Sequence, residues 1–200
     1  MGKMIELTAS DGHRLAAYRA EPPGPVRGGV VVIQEIFGVN SHIKAVSDGF
    51  AADGYVAIAP ALFDRVERNV DLGYTADTVA AGRELRAGVA IDDAIKDVAA
   101  AVAAAAPQGK VGLVGYCWGG FVVWMAAARV DGLSAAVSYY GGGVLENASE
   151  RPRCPTMLHF GEQDSISPPE KVAAFAAAHP TLAVHIYPAD HGFNCDPRGS

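Results

Sequence analysis

The sequence is poor in cysteine, in charge and in long apolar runs, and each shortage excludes something. Its 200 residues hold three cysteines, at 117, 154 and 195. An odd, widely spaced set does not make a disulfide framework, so the thiols are read as reduced and the chain as cytoplasmic. Acidic residues outnumber Lys and Arg, 22 to 16, for a net charge of −6. With no cluster of basic residues to offset that balance, nucleic acid is excluded as a partner. No apolar stretch is long enough to span a bilayer, and the opening MGKMIELTASDGH lacks the apolar centre of a signal peptide, which removes the membrane. Charged residues make up 19% and hydrophobic ones 50%, so the chain is not disordered. No repeat or linker divides it, and residues 1–200 are read as a single domain with a real core.

What is present is alternation. Residues 4–8 and 14–19 are short strand-like runs joined across Ser10-Asp11-Gly12, a hairpin turn. Residues 29–34 include VVVI, a β-branched run suited to burial on both faces. Ser41 is the expected N-cap of a helix to about residue 52, stopped by Asp53-Gly54. A short strand at 55–59 is followed by an irregular stretch over 61–75. A long Ala-rich helical stretch then covers roughly 76–105, with Gly82 and Gly88 as breaks and Pro107 as its stop. Strands are expected at 111–115, 133–139, 155–160 and 182–188, with helices after Cys117 and over 168–179. Strands alternating with helices predict an α/β fold: a mostly parallel central sheet flanked by helices, preceded by an antiparallel hairpin.

Between the strand at 111–115 and the next helix lies Gly115-Tyr116-Cys117-Trp118-Gly119, a nucleophile framed by glycines two positions away on either side. A nucleophile displayed on a sharp strand-to-helix turn needs that spacing, because side chains at the flanking positions would strike the adjoining strand and helix. Taken alone, the stretch is equally compatible with Cys117 as a small buried residue beside a tight turn.

Ligands and reacting groups gather at the carboxyl ends of strands in such sheets. The residues in those positions are Glu35-Ile36-Phe37-Gly38, Cys117, Gly161-Glu162-Gln163-Asp164 and Ala189-Asp190-His191-Gly192. A thiol, an acid and an imidazole thus share one sheet edge in the order nucleophile, acid, histidine, the chain order of α/β-hydrolases. Asp164 could instead cap the helix near Pro168, a task open also to Ser165 and Ser167. His191 could be an ordinary loop histidine, while His179 and His185 fall inside regular elements. Asp190 adjoins His191 but points the other way in an extended segment, so Asp164 is preferred as the orienting acid. Cys117, Cys154, Cys195 and His191 lack the spacing of a zinc site, and no metal is expected.

Glu35-Ile36-Phe37-Gly38-Val39-Asn40, Gly115-Tyr116-Cys117-Trp118-Gly119-Gly120 and His191-Gly192-Phe193 together resemble the dienelactone hydrolase family, over a stretch from about residue 5 to the C-terminus. The resemblance implies an α/β-hydrolase fold and a catalytic triad of Cys117, His191 and Asp164. It implies that Glu35 contacts the thiol, and that the backbone N–H groups of Ile36 and Trp118 form an oxyanion hole. Physical chemistry fits these roles. A thiolate at a helix N-terminus beside an imidazolium is stabilised by the dipole and the ion pair. One oxyanion donor is worth about 3 kcal/mol. Glu35, flanked by Ile33, Ile36 and Phe37, should resist ionisation unless paired; otherwise it is a salt-bridged residue at a strand end.

Two departures stand out. The family's carboxylate-binding arginine four residues after the catalytic histidine is replaced here by Cys195, which puts a carboxylate-bearing substrate in doubt. Arg65, Arg68, Arg83 and Arg86 are possible substitutes. The family also continues into a C-terminal helix that is missing here, so the chain is expected either to be cut short or to leave an apolar face for a partner chain. The reading is therefore a cysteine-dependent hydrolase of small esters or lactones, acting through a covalent acyl-enzyme with no cofactor. Phe37, Tyr140 and Phe193 are expected in the pocket beside Trp118. The alternatives are acyl transfer to another acceptor, or a non-catalytic scaffold that binds a small ligand or partner. Monomer and homodimer are both open.

Overall fold

Eight strands form one sheet in the order β1-β2-β4-β3-β5-β6-β7-β8 in the computed structural model, which describes residues 2–198. The ends of the 1–200 span assigned to one domain lie outside the described residues. β1 (Lys3–Thr8) and β2 (Arg14–Ala20) make the expected antiparallel hairpin, and β2 joins β4 (Tyr55–Pro60) antiparallel. From β4 onward every neighbour is parallel, through β3 (Gly28–Ile33), β5 (Val111–Tyr116), β6 (Leu133–Tyr139), β7 (Thr156–Gly161) and β8 (Ala183–Tyr187).

The VVVI run becomes β3, the middle of the sheet, and all six of its residues are buried. Parallel strands covered on both faces have no solvent side, so alternation gives way to a continuous apolar run. Burying Val31, Val32 and Ile33 contributes about 1.5–3 kcal/mol each. α3 (Ile91–Ala105), α4 (Trp118–Arg129) and α5 (Pro169–Ala178) supply the apolar cluster of one face, around the buried Trp124. α1 (Ser41–Ala52) packs Ile43 and Ala51 on the other face, against Val30, Val32 and Ala57. No helix among the described residues is long and apolar enough to cross a membrane.

Two helix boundaries differ from expectation. α1 is capped by Asn40 rather than Ser41. The Asn40 Oδ1 accepts the Ile43 N–H at 3.2 Å, which satisfies one of the free donors of the first turn. The Ala-rich stretch divides into α2 (Ala76–Ala87) and α3, so Gly88 breaks it and Gly82 does not. Gly82 lies within α2 for a packing reason described below.

β3 sits between β4 and β5, so the chain leaves it in one direction and returns on the other side. Such a switch in strand order opens a crevice at the carboxyl ends of the two strands. Glu35 and Ile36 follow β3, and Cys117 follows β5, on the two sides of that crevice.

Candidate active site

Cys117 has φ 56° and ψ −120°. A residue with a Cβ adopts such left-handed backbone only under constraint. The flanking glycines supply it. A Cβ on Gly115 would lie 2.3 Å from the Gly119 carbonyl oxygen and 2.7 Å from Val123 Cγ2; one on Gly119 would lie 2.6 Å from the Ile33 carbonyl oxygen. The anticipated collisions with helix and strand are both there. The Cys117 N–H donates to the Tyr139 carbonyl at 3.0 Å, tying the turn to β6.

The imidazole of His191 bridges this thiol and Asp164. Its Nε2 is 3.1 Å from Cys117 Sγ and its Nδ1 is 2.8 Å from Asp164 Oδ2. Asp164 is fully buried and its other oxygen accepts the Ile166 N–H at 2.8 Å, so the carboxylate is held from two directions. It caps no helix: α5 begins after Pro168 with no side-chain cap. Asp190 turns to its own neighbour, accepting the His191 backbone N–H at 2.6 Å, and leaves the ring to Asp164. Burial pulls the His191 imidazole down, but the hydrogen bonds to Asp164 and then Cys117 outweigh it and lift the ring to about 9. His179 stacks on Phe175, and His185 on His159 in the edge strands.

Glu35 has a different partner from the one the resemblance implies. Among the described residues no hydrogen bond joins it to the thiol. Its Oε1 accepts Arg198 Nη1 at 3.1 Å, and its Oε2 has no partner among the described residues. Arg198 is a residue that sequence reasoning missed. It stands seven positions after His191 in a short 3-10 turn, Asp196–Arg198, and no periodicity announces a pairing across so much chain. Cys195, the departure from the family pattern, is buried beside Glu35 and Tyr74. Burial chiefly pushes its thiol up, to about 11.

A cleft of about 430 Å³ opens over the thiol, lined by Ile36, Phe37, Trp118, Ile166, Cys117 and His191. Arg83, Arg86 and Arg198 reach its wall as well. Two of the four arginines considered from the sequence are therefore at the cleft. Arg65 is committed elsewhere to Asp97 and Asp11, and Arg68 donates to the Arg14 carbonyl. Of the expected pocket aromatics Phe37 is on the wall, whereas Tyr140 and Phe193 are not among the lining residues. The Tyr140 ring meets the His191 ring edge-on at 5.1 Å and Phe193 at 5.2 Å.

Ile36, in the loop after β3, and Trp118, at the start of α4, both line the cleft. Trp118 is the first residue of α4, so its N–H has no acceptor within the helix. The Ile36 loop is braced by α2, where a Cβ on Gly82 would meet the Ile36 carbonyl oxygen at 2.1 Å. Asn40 adds a second brace, donating Nδ2 to the Leu72 carbonyl at 3.1 Å and to the Tyr74 hydroxyl at 3.0 Å. Neither brace is visible in the sequence as a motif.

Known proteins share this arrangement of chain. The family model described as "Dienelactone hydrolase family" matches residues 15–200. A Pseudomonas putida protein named carboxymethylenebutenolidase is 32% identical, over 94% of this chain and 84% of its own. A Synechocystis protein that carries the same name provisionally is 37% identical over the same shares of the two chains, 94% and 84%. Among solved structures, a Klebsiella pneumoniae protein provisionally named a dienelactone hydrolase superposes with a TM-score of 0.81 at 31% identity, covering 99% of this chain and 91% of that one.

Proposed function

The chain belongs to the dienelactone hydrolase family, and on that premise we propose that it hydrolyses small esters or lactones with Cys117 as the nucleophile. The observation that carries the reading is the relay from Cys117 Sγ through His191 to Asp164, at 3.1 and 2.8 Å. In it, Sγ attacks the carbonyl carbon as a thiolate, its proton already resting on His191 Nε2. The carbonyl oxygen becomes an oxyanion held by the N–H groups of Ile36 and Trp118. When the intermediate collapses, the C–O bond to the leaving group breaks and His191 returns the proton to that oxygen. Water then attacks the thioester, leaves a proton on Nε2, and releases the acid as the S–C bond breaks and the thiolate–imidazolium pair is restored. Asp164 holds the Nδ1–H and stabilises the imidazolium without taking its proton.

The three arginines on an otherwise apolar wall favour a substrate that carries an anionic group beside its ester or lactone. Arg198 takes up part of the task left vacant by Cys195, and Glu35 serves as its counter-ion. Replacing Cys117 by Ala tests the reading: hydrolysis of p-nitrophenyl acetate should disappear, and one equivalent of iodoacetamide should no longer label the protein. Turnover at the parental rate in Cys117→Ala would overturn it.

A further inference from the structure

Three side chains from distant parts of the chain converge: Glu35 after β3, His42 in the first turn of α1, and Cys195 in the loop after β8. All three are buried, and one donor atom from each lies within 4.8 Å of the other two. Two of these groups present unsatisfied atoms. Glu35 Oε2 and His42 Nε2 are buried with no hydrogen-bond partner among the described residues. Buried polar atoms in native proteins are paired, so orphans in one cluster point to a missing occupant. Arg198 takes Glu35 Oε1, and Oε2 is the oxygen left over.

We propose that Glu35, His42 and Cys195 form a binding site for one divalent cation of the zinc class. A carboxylate, an imidazole and a thiolate are the donor types zinc accepts together, whereas magnesium and calcium refuse sulfur. Ligand bonds of about 2.0–2.3 Å put tetrahedral donors about 3.3–3.7 Å apart, so the three groups close by about 1 Å around the ion. On ligation the Cys195 thiol gives its proton to water and an S–metal bond forms. Two anionic ligands then balance the ion's two charges, and Arg198 keeps its own bond to Oε1. A water takes the fourth position. The ion would fasten the β3 loop, the start of α1 and the segment carrying Arg198 to one another. The inference is independent of which residue attacks substrate.

The test is titration of the chelator-treated full chain with Co²⁺. The expected result is one equivalent bound, with thiolate-to-cobalt charge-transfer absorption in the near ultraviolet. That band should persist in a Cys117→Ala, Cys154→Ser protein, vanish in Cys195→Ser, and need at least tenfold more Co²⁺ in His42→Gln. Zn²⁺ should raise the thermal midpoint of the parent and of Cys117→Ala, and leave Cys195→Ser unmoved. Absence of the band from the parent, its survival in Cys195→Ser, or its loss in the Cys117→Ala protein would each overturn the site. Should Cys195→Ser not fold, an undiminished Co²⁺ affinity in His42→Gln overturns it as well.

Discussion

Arg198 and Glu35 meet as an ion pair across 163 positions of the chain, Nη1 donating to Oε1 at 3.1 Å, with the glutamate side chain 1% exposed and the arginine 23%. A carboxylate so deep depends on its partner, since removing one member strands a buried charge. Arg198→Met should therefore lower stability by about 1–3 kcal/mol. Urea unfolding checks it, and the Glu35→Gln, Arg198→Met double variant should recover part of the loss, as coupled groups do. The same change should raise KM for a carboxylate-bearing lactone at least tenfold relative to a neutral ester. Equal effects on the two substrates would remove Arg198 from anion recognition.

The proton on His191 is the second matter. With its ring lifted to about 9 by Asp164 and Cys117 against the pull of burial, the imidazole is protonated through neutrality and loses its proton only as the pH rises through that value. His42 and His159 move the other way, both lowered by burial. Ring ¹⁵N chemical shifts across a pH series should thus give one histidine titrating near 9 and two that remain neutral at pH 7. Asp164→Asn removes the largest upward influence and should bring the His191 midpoint down. A midpoint unchanged by that substitution would mean that Asp164 does not set the ring's charge.

These expectations rest unevenly on the sequence. The β-branched run of β3 and the glycine-framed turn at Cys117 were legible because their cause is local: burial on both faces in one case, collisions two residues away in the other. The order thiol, acid, histidine was legible because each residue lies within four positions of the carboxyl end of a strand. The cap at Asn40 was not, since Ser41 is an equally good capping type and only the reach of Oδ1 to Ile43 separates them. Gly82 read as a helix break because an interior glycine ordinarily weakens a helix. Its reason is a neighbour 46 positions away, visible only in three dimensions. The pairing of Arg198 with Glu35 has no local signature of any kind.

Away from the cleft, Arg65 bonds the fully buried Asp97 at 2.7 and 2.9 Å and also reaches Asp11 at 2.8 Å. Burial chiefly raises the Asp97 carboxyl despite the guanidinium beside it. Arg65→Met should destabilise the fold by about 3–5 kcal/mol without altering kcat of the folded fraction. The sign of the pH effect follows from the same cause. A carboxyl raised further by loss of its partner binds its proton more tightly folded than unfolded, so the variant loses stability as pH rises. Its deficit against the parent should be smaller at pH 5 than at pH 8 in denaturant titrations. A deficit that grows toward acid would contradict the assignment.

Gly82 couples the packing of α2 to the loop that carries Ile36. It lies inside α2, where replacing glycine by alanine ordinarily gains about 0.5–1 kcal/mol. Here the added Cβ would lie 2.1 Å from the Ile36 carbonyl oxygen and 3.1 Å from the Ile36 carbonyl carbon. These are backbone atoms, which cannot rotate aside, so the helix or the β3 loop must shift. A shift of about 1 Å at a positioned donor can cost about 10²-fold in rate. Gly82→Ala should accordingly reduce kcat by one to two orders of magnitude while KM changes little, and lower the thermal midpoint, because overpacking against backbone costs about 1–3 kcal/mol, more than the helix gains. Ala80→Gly, at an exposed position on the same helix, should lower stability by up to about 1 kcal/mol and spare kcat. If Gly82→Ala keeps full kcat, the contact between α2 and the Ile36 loop is packing alone, and the oxyanion donor proposed at Ile36 owes nothing to it.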